Sequence, residues 1–258
     1  MQIDPLYTLS GAIVGFVVGL TGVGGGSLMT PALVLLFGVH PATAVGTDLL
    51  FAAITKTAGA AVHGCKQNID WRIVARLAAG SAPSSALTLF LMDRLGVHTA
   101  QMSRTIGVVL GVALVATALS ILLRRQLLDL KLGPRPVSEA VRARVTILFG
   151  ALLGVLVSVS SVGAGAMGLT VLLLLYPAAP IVRIVGADVA HAVPLTFIAG
   201  IGHWMIGSVD LAMLASLLVG SVPGVVIGAQ LAPDVDERAI RIVLSVVLGI
   251  AGIRLIVA

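Results

Sequence analysis

The stretch GLTGVGGGSLMTP, Gly19 to Pro31, carries five glycines between Gly19 and Gly26 and lies between two aliphatic runs. An unbroken helix over residues 8–38 would be about 46 Å long at 1.5 Å per residue. That exceeds a hydrocarbon core of ~30 Å unless the helix is tilted or interrupted. Glycine costs a helix interior conformational entropy, and three in a row at Gly24, Gly25 and Gly26 predict the interruption here. Unwound backbone at membrane depth survives only inside protein or beside a polar cavity, so the break marks a place where something polar is handled. Gly11, Gly15 and Gly19, spaced by four, read instead as a face for close helix packing.

The rest of the chain fits a membrane setting. Of its 258 residues 58% are hydrophobic and 10% charged, and the mean hydropathy is +1.12. Apolar segments recur at about 8–38, 41–63, 72–92, 103–124, 145–176, 184–206, 211–231 and 240–258. The expected fold class is therefore all-α: a polytopic membrane protein of about eight transmembrane segments. No segment is long and polar enough for a separate soluble domain, so residues 1–258 are read as one membrane transport domain. The opening MQIDPLY lacks a basic n-region, and the first apolar run is read as a retained span. Cys65 stands alone, which excludes an internal disulfide and argues against a cysteine-based metal cluster. The net charge of +5 falls in short connections, where lipid topology accounts for it and nucleic acid is not needed.

The longest polar connection, Arg124 to Arg144, holds six basic residues against Asp129 and Glu139 and is expected to be cytoplasmic. Around it the sequence repeats weakly. At an offset of 140, Gly46, Asp48, His63 and Asp70 match Gly186, Asp188, His203 and Asp210, and GSAP at 80–83 matches GSVP at 220–223. At an offset of 139, Gly15, Val23, Gly24 and Gly26 match Gly154, Val162, Gly163 and Gly165. The expected organisation is two homologous halves, about 8–124 and 145–258, each beginning with a glycine-broken helix. If each broken segment crosses once, the halves are parallel. If it folds back as a hairpin, they are inverted with both termini outside. Lys66, Arg72 and Arg76 lie on the linker's side either way, and the sparse charges elsewhere leave the choice open.

The order of the glycine break, the AVGT element, the His-x(4)-Asn-x-Asp-Trp turn and the GxxP helix resembles the sulfite exporter TauE/SafE family. The carrying stretches are GFVVGLTGVGGGSLMTPALVLLFGVHPATAVGTDLL (15–50), HGCKQNIDW (63–71) and GSAPSSAL (80–87), then SVGAGAMGLTVLLLLYP (161–177), VGADVAHAVPL (185–195) and HWMIGSVDL (203–211). The resemblance implies secondary transport of small sulfur-containing anions, sulfite or organosulfonates, across the bacterial inner membrane, coupled to an ion gradient. It also implies hydroxyls after the Gly-Thr pair, where this chain has Asp48, with Ala187–Asp188 in the second half.

An oxyanion leaving water needs donors, and the N–H groups at a helix start supply them without a mobile charge. Gly24, Gly25, Gly26 and Ser27 open one such helix, and Gly163, Ala164 and Gly165 open its counterpart; Thr21, Ser27, Ser160 and Ser161 add hydroxyls, and Thr47 is a further substrate-binding candidate. Lys56, His63 and His203 complete the substrate-binding candidates. Asp48, Asp188 and His191 are the proton-coupling candidates, because ionisable groups in spans are costly and carry function by default. His191 follows Asp188 by three, on one helix face. Asp70 and Asp210, at the starts of the next spans, read as N-caps, and Trp71 and Trp204 as interfacial anchors.

An anion channel would use the same broken helices, and an intramembrane enzyme also places Asp and His in helices. No nucleophile with an evident base is present, and the duplication suits alternating access, so no catalytic residue, metal or cofactor is assigned. The expected partners are a small anionic substrate and membrane lipid, with a homo-oligomer left open.

Overall fold

The computed structural model describes residues 3–21, 26–65, 67–129, 138–231 and 237–257, and among these every regular element is an α-helix. In chain order they are α1 (Pro5–Thr21), α2 (Gly26–Phe37), α3 (Pro41–Cys65), α4 (Trp71–Leu95), α5 (Ala100–Asp129), α6 (Glu139–Ser160), α7 (Ala166–Leu175), α8 (Ile181–Met205), α9 (Leu211–Leu231) and α10 (Glu237–Val257). Six described helices, α4, α5, α6, α8, α9 and α10, are long and apolar enough to cross a membrane. α1, α2 and α7 are shorter apolar helices, and α3 carries Asp48 and Lys56 along its 25 residues. Large apolar side chains such as Leu36, Met205 and Val257 point outward, the surface of a protein solvated by lipid.

Both broken segments are interrupted, and both fold back. α1 stops at Thr21 and α2 starts at Gly26, with 22–25 outside the described residues. α2 then returns along α1, so that Phe37 meets Tyr7 with ring centroids 5.1 Å apart. In the second segment Ser161 closes α6 in the left-handed conformation, and Gly163 and Gly165 take φ of 126° and 129°. Only glycine reaches such backbone angles without strain, so the chain turns here and α7 starts anew. Its end comes back to the start of α6, where the Tyr176 hydroxyl lies 2.8 Å from Thr146 Oγ1 and Arg142 sits 5.5 Å over the Tyr176 ring. Arg76 of α4 also donates to the Tyr176 hydroxyl at 3.2 Å and pairs with Glu139 at 2.6 Å, fastening this hairpin's base.

Small residues set how the helices pack. α1 and α9 run parallel with Gly11, Gly15 and Gly19 against the backbone at Leu217, Ser221 and Val225, and Gly220, Gly224 and Gly228 against Thr8, Ala12 and Phe16. α4 and α6 are also parallel, joined through Gly80, Gly150 and Gly154. α3 and α8 are antiparallel: Gly46 lies under His203 and Ser208, while Gly186 lies under His63 and Asn68. α5 and α10 are antiparallel too, crossing at Gly111 and Gly252.

These directions sort the connections onto two faces. The linker face takes the ends of α3, α5, α7 and α9 and the starts of α4, α6, α8 and α10. It collects Arg72, Arg76, Arg124, Arg142, Arg144, Arg183, Arg238 and Arg241, against Arg94, Arg104 and Arg254 on the other. The charges outside the linker, which the linear sequence left undecided, thus favour one face once the hairpins fold back. Trp71 and Trp204, both exposed, mark opposite faces. The polar connection at Arg124–Arg144 is shorter than its composition suggests. Helix α5 runs on to Asp129, and Ser138 caps α6 by accepting from the Val141 N–H at 3.4 Å, so 130–137 alone lies outside the described residues.

Candidate functional site

The break between α6 and α7 is where groups from distant parts of the chain converge. Lys56, two turns beyond Asp48 on α3, reaches across and donates from Nζ to the Ala164 carbonyl at 3.2 Å. Its charge acts on both Asp188 and Asp48. The two carboxylates are 4% and 0% exposed, so neither meets bulk water. Asp48 accepts a hydrogen bond from Thr30 Oγ1 of α2 through Oδ2, and Ser161 lies nearby with its buried hydroxyl unpaired among the described residues. Asp188 stands against Gly168 in the first turn of α7, where any side chain would collide with Oδ1. The missing side chain at Gly168 makes the space that the carboxylate fills. Each carboxylate keeps one buried oxygen, Asp48 Oδ1 and Asp188 Oδ1, with no hydrogen-bond partner among the described residues. A buried acceptor without a donor is costly, so the arrangement is poised for a donor or a proton rather than optimised for stability.

His191 lies one turn from Asp188 on α8, buried, and its Nε2 pairs with Ser81 Oγ of α4 at 2.8 Å while Nδ1 has no partner. It shares the field of Lys56. A ring held by one nitrogen against a hydroxyl, with the other free, can pass a proton between two partners.

Not every candidate joins this cluster. His203 is buried at the end of α8, on the face opposite the linker, and its Nε2 donates to the Ser158 carbonyl at 2.8 Å, closing the end of α6 against α8. His63 occupies the corresponding place at the linker face beneath Gly186, so the two histidines lie on opposite sides of the molecule. Thr47 Oγ1 accepts from the Asp210 backbone N–H at 3.0 Å and ties α3 to the start of α9. Ser27 is buried in the first turn of α2. Gly24 and Gly25 lie outside the described residues, as do the side chain of Thr21 and the surroundings of Gly26. Asp70 and Asp210 cap α4 and α9, each accepting from two backbone N–H groups of the first turn.

Thr30 and Ser81, which orient Asp48 and His191, were not singled out from sequence. Thr30 had a signal, since Thr170 matches it at the same offset of 140 that pairs the aspartates. Ser81 lies in the duplicated GSAP element itself.

The family model described as Sulfite exporter TauE/SafE matches residues 7–255. The chain is 38% identical over 253 residues to the "Probable membrane transporter protein YjnA" of Bacillus subtilis, covering 96% of this chain and 98% of that one. It is 25% identical over 264 residues to a "Probable membrane transporter protein" of Methanocaldococcus jannaschii, covering 96% and 94%. No solved structure matches it. With nearly the whole chain matched by the family model, this multi-pass protein belongs to the sulfite exporter TauE/SafE family of membrane transporters.

Proposed function

We propose that the protein is a proton-coupled secondary transporter of small sulfur-containing anions of the sulfite or organosulfonate type, working by alternating access in a bacterial inner membrane. The observation that carries it is the meeting of Asp48, Lys56 and Asp188, from α3 and α8, at the point where α6 breaks into α7. A cation and helix-start N–H groups suit an anion, and two buried carboxylates suit a coupling proton. The substrate class rests on the family description.

Alternating access is supported by the packing. The protein reads as two inverted halves, α1–α5 and α6–α10, each a fold-back hairpin followed by three long helices. Exchanging the halves maps α1 on α9 onto α6 on α4, and it returns α3–α8 and α5–α10 as antiparallel pairs with themselves. A unit related in this way can close one face while opening the other. The linker then lies in the cytoplasm, since its face carries the basic residues.

Purified protein in liposomes, loaded with a pH gradient and offered labelled sulfite, methanesulfonate, chloride and phosphate, tests the reading. The expected result is accumulation of a sulfur anion that collapses with a protonophore. Accumulation of none of them, or flux of the sulfur anions that ignores the gradient, would overturn it.

A further inference from the structure

The charges at the α6–α7 break do not balance. Asp48 and Asp188 bring two carboxylates, and Lys56 is the cation whose field reaches both. An ammonium has three donors. Lys56 spends one on the Ala164 carbonyl, while Asp48 Oδ1 and Asp188 Oδ1 stay buried without partners. The lysine is thus held beside both carboxylates and tied to neither.

We infer that Lys56 is a counter-ion shared by Asp48 and Asp188, and that it holds a substrate anion only when one of those carboxylates has taken up a proton. The inference rests on the anion-transport reading and states how its proton is coupled. With both carboxylates ionised the cluster carries one net negative charge, and an entering anion is repelled at short range with little water to screen it. A proton on one carboxylate oxygen makes the cluster neutral and removes one of the two competitors for the ammonium. When a monovalent anion then binds Lys56, the net charge returns to its resting value. Empty and loaded sites therefore present the same charge to the hydrocarbon, and proton and anion enter one for one.

Among the described residues the surroundings contain little else that could titrate. Asp48 and Lys56 face the cluster from α3, and Asp188 and His191 from α8. From α2, α4 and the α6–α7 connection the facing groups are the hydroxyls of Thr30, Ser81 and Ser161. His191 is bonded to Ser81 through Nε2 and has no bond to Lys56 or to either carboxylate among the described residues.

The test is the affinity of the purified full chain for methanesulfonate, which keeps one negative charge at every pH used, measured calorimetrically between pH 5.5 and 8.5. The wild type is expected to bind more weakly by about tenfold per pH unit above its transition, the slope of a single linked proton. Asp48→Asn and Asp188→Asn should each bind with an affinity that ignores pH, since the neutralised cluster no longer waits for a proton. Lys56→Met should lose about tenfold or more in affinity at low pH, and Lys56→Arg should recover most of it. A lysine that only braces the break would leave the wild-type slope intact in both Asp→Asn variants. That result, or a wild type whose affinity ignores pH, overturns the inference alone. Wild-type protein that binds no methanesulfonate at any pH overturns the anion-transport reading along with it.

Discussion

Thr30 shows how one hydroxyl sets the state of a buried charge. Its Oγ1 is the donor to Asp48 Oδ2, while Oδ1 of the same carboxylate has none. Thr30→Val keeps the shape and removes the donor, leaving both oxygens without a hydrogen-bond partner among the described residues. The expected cost is about 1–3 kcal/mol of stability at neutral pH, read by thermal unfolding in detergent, with loss of transport. Unchanged unfolding would mean that the bond contributes nothing. Gly168→Ala tests the other carboxylate. Its methyl group would collide with Asp188 Oδ1, so transport should fail even though alanine favours helix. Asp48, Lys56 and Asp188 were legible in the sequence, because a charge in an apolar run has no cheap explanation. Thr30 and Ser81 were not. Most hydroxyls in these helices satisfy themselves locally, as Thr55, Thr57 and Thr196 do by donating to carbonyls four residues back. The match to Thr170 is all that marks Thr30 in the linear sequence, and Thr170 itself bonds locally to the Ala166 carbonyl, whereas Thr30 bonds across to another helix.

At the scale of elements, the glycines fall into two kinds that the sequence separates only in part. The spacing of Gly11, Gly15 and Gly19 announced a packing face, and its partner is the equally spaced Gly220, Gly224 and Gly228 of α9. Gly224→Leu would drive a branched side chain into the Ala12 carbonyl and Phe16, and should destabilise by about 1–3 kcal/mol or prevent assembly of α1 with α9. Gly249→Leu is the matched control: a Cβ added there meets no described atom within 4 Å beyond its own stretch of helix, so insertion and unfolding should stay close to wild type. Equal behaviour of the two variants would deny that α1 and α9 depend on close approach. The second kind of glycine breaks a helix, and the sequence showed where the break falls but not which way the chain leaves it. That direction is fixed by contacts far apart in sequence, Tyr7 with Phe37 and Tyr176 with Thr146 and Arg142. Tyr176→Phe removes the hydroxyl shared with Thr146 and Arg76, and is expected to lower stability by about 1 kcal/mol by loosening the hairpin base.

For the whole molecule, the fold-back of both broken segments decides which face each connection reaches. With two hairpins, the turn between α7 and α8 lies with the linker, and the turn between α8 and α9 lies opposite. With single crossings those two turns would exchange faces. The excess of arginine on the linker face predicts that this face is cytoplasmic. Cys65, exposed at the linker end of α3, must first be removed as Cys65→Ser, because it is the single native thiol. On that background Val209→Cys should react with a membrane-impermeant maleimide in intact cells. Ala178→Cys and Ser138→Cys should react only after the membrane is permeabilised. Reversal of the Val209 and Ala178 results, with Ser138 still protected, would restore single crossings and parallel halves in place of the proposed inverted pair. Labelling of Ser138→Cys from outside would invert the whole molecule, against the distribution of its arginines.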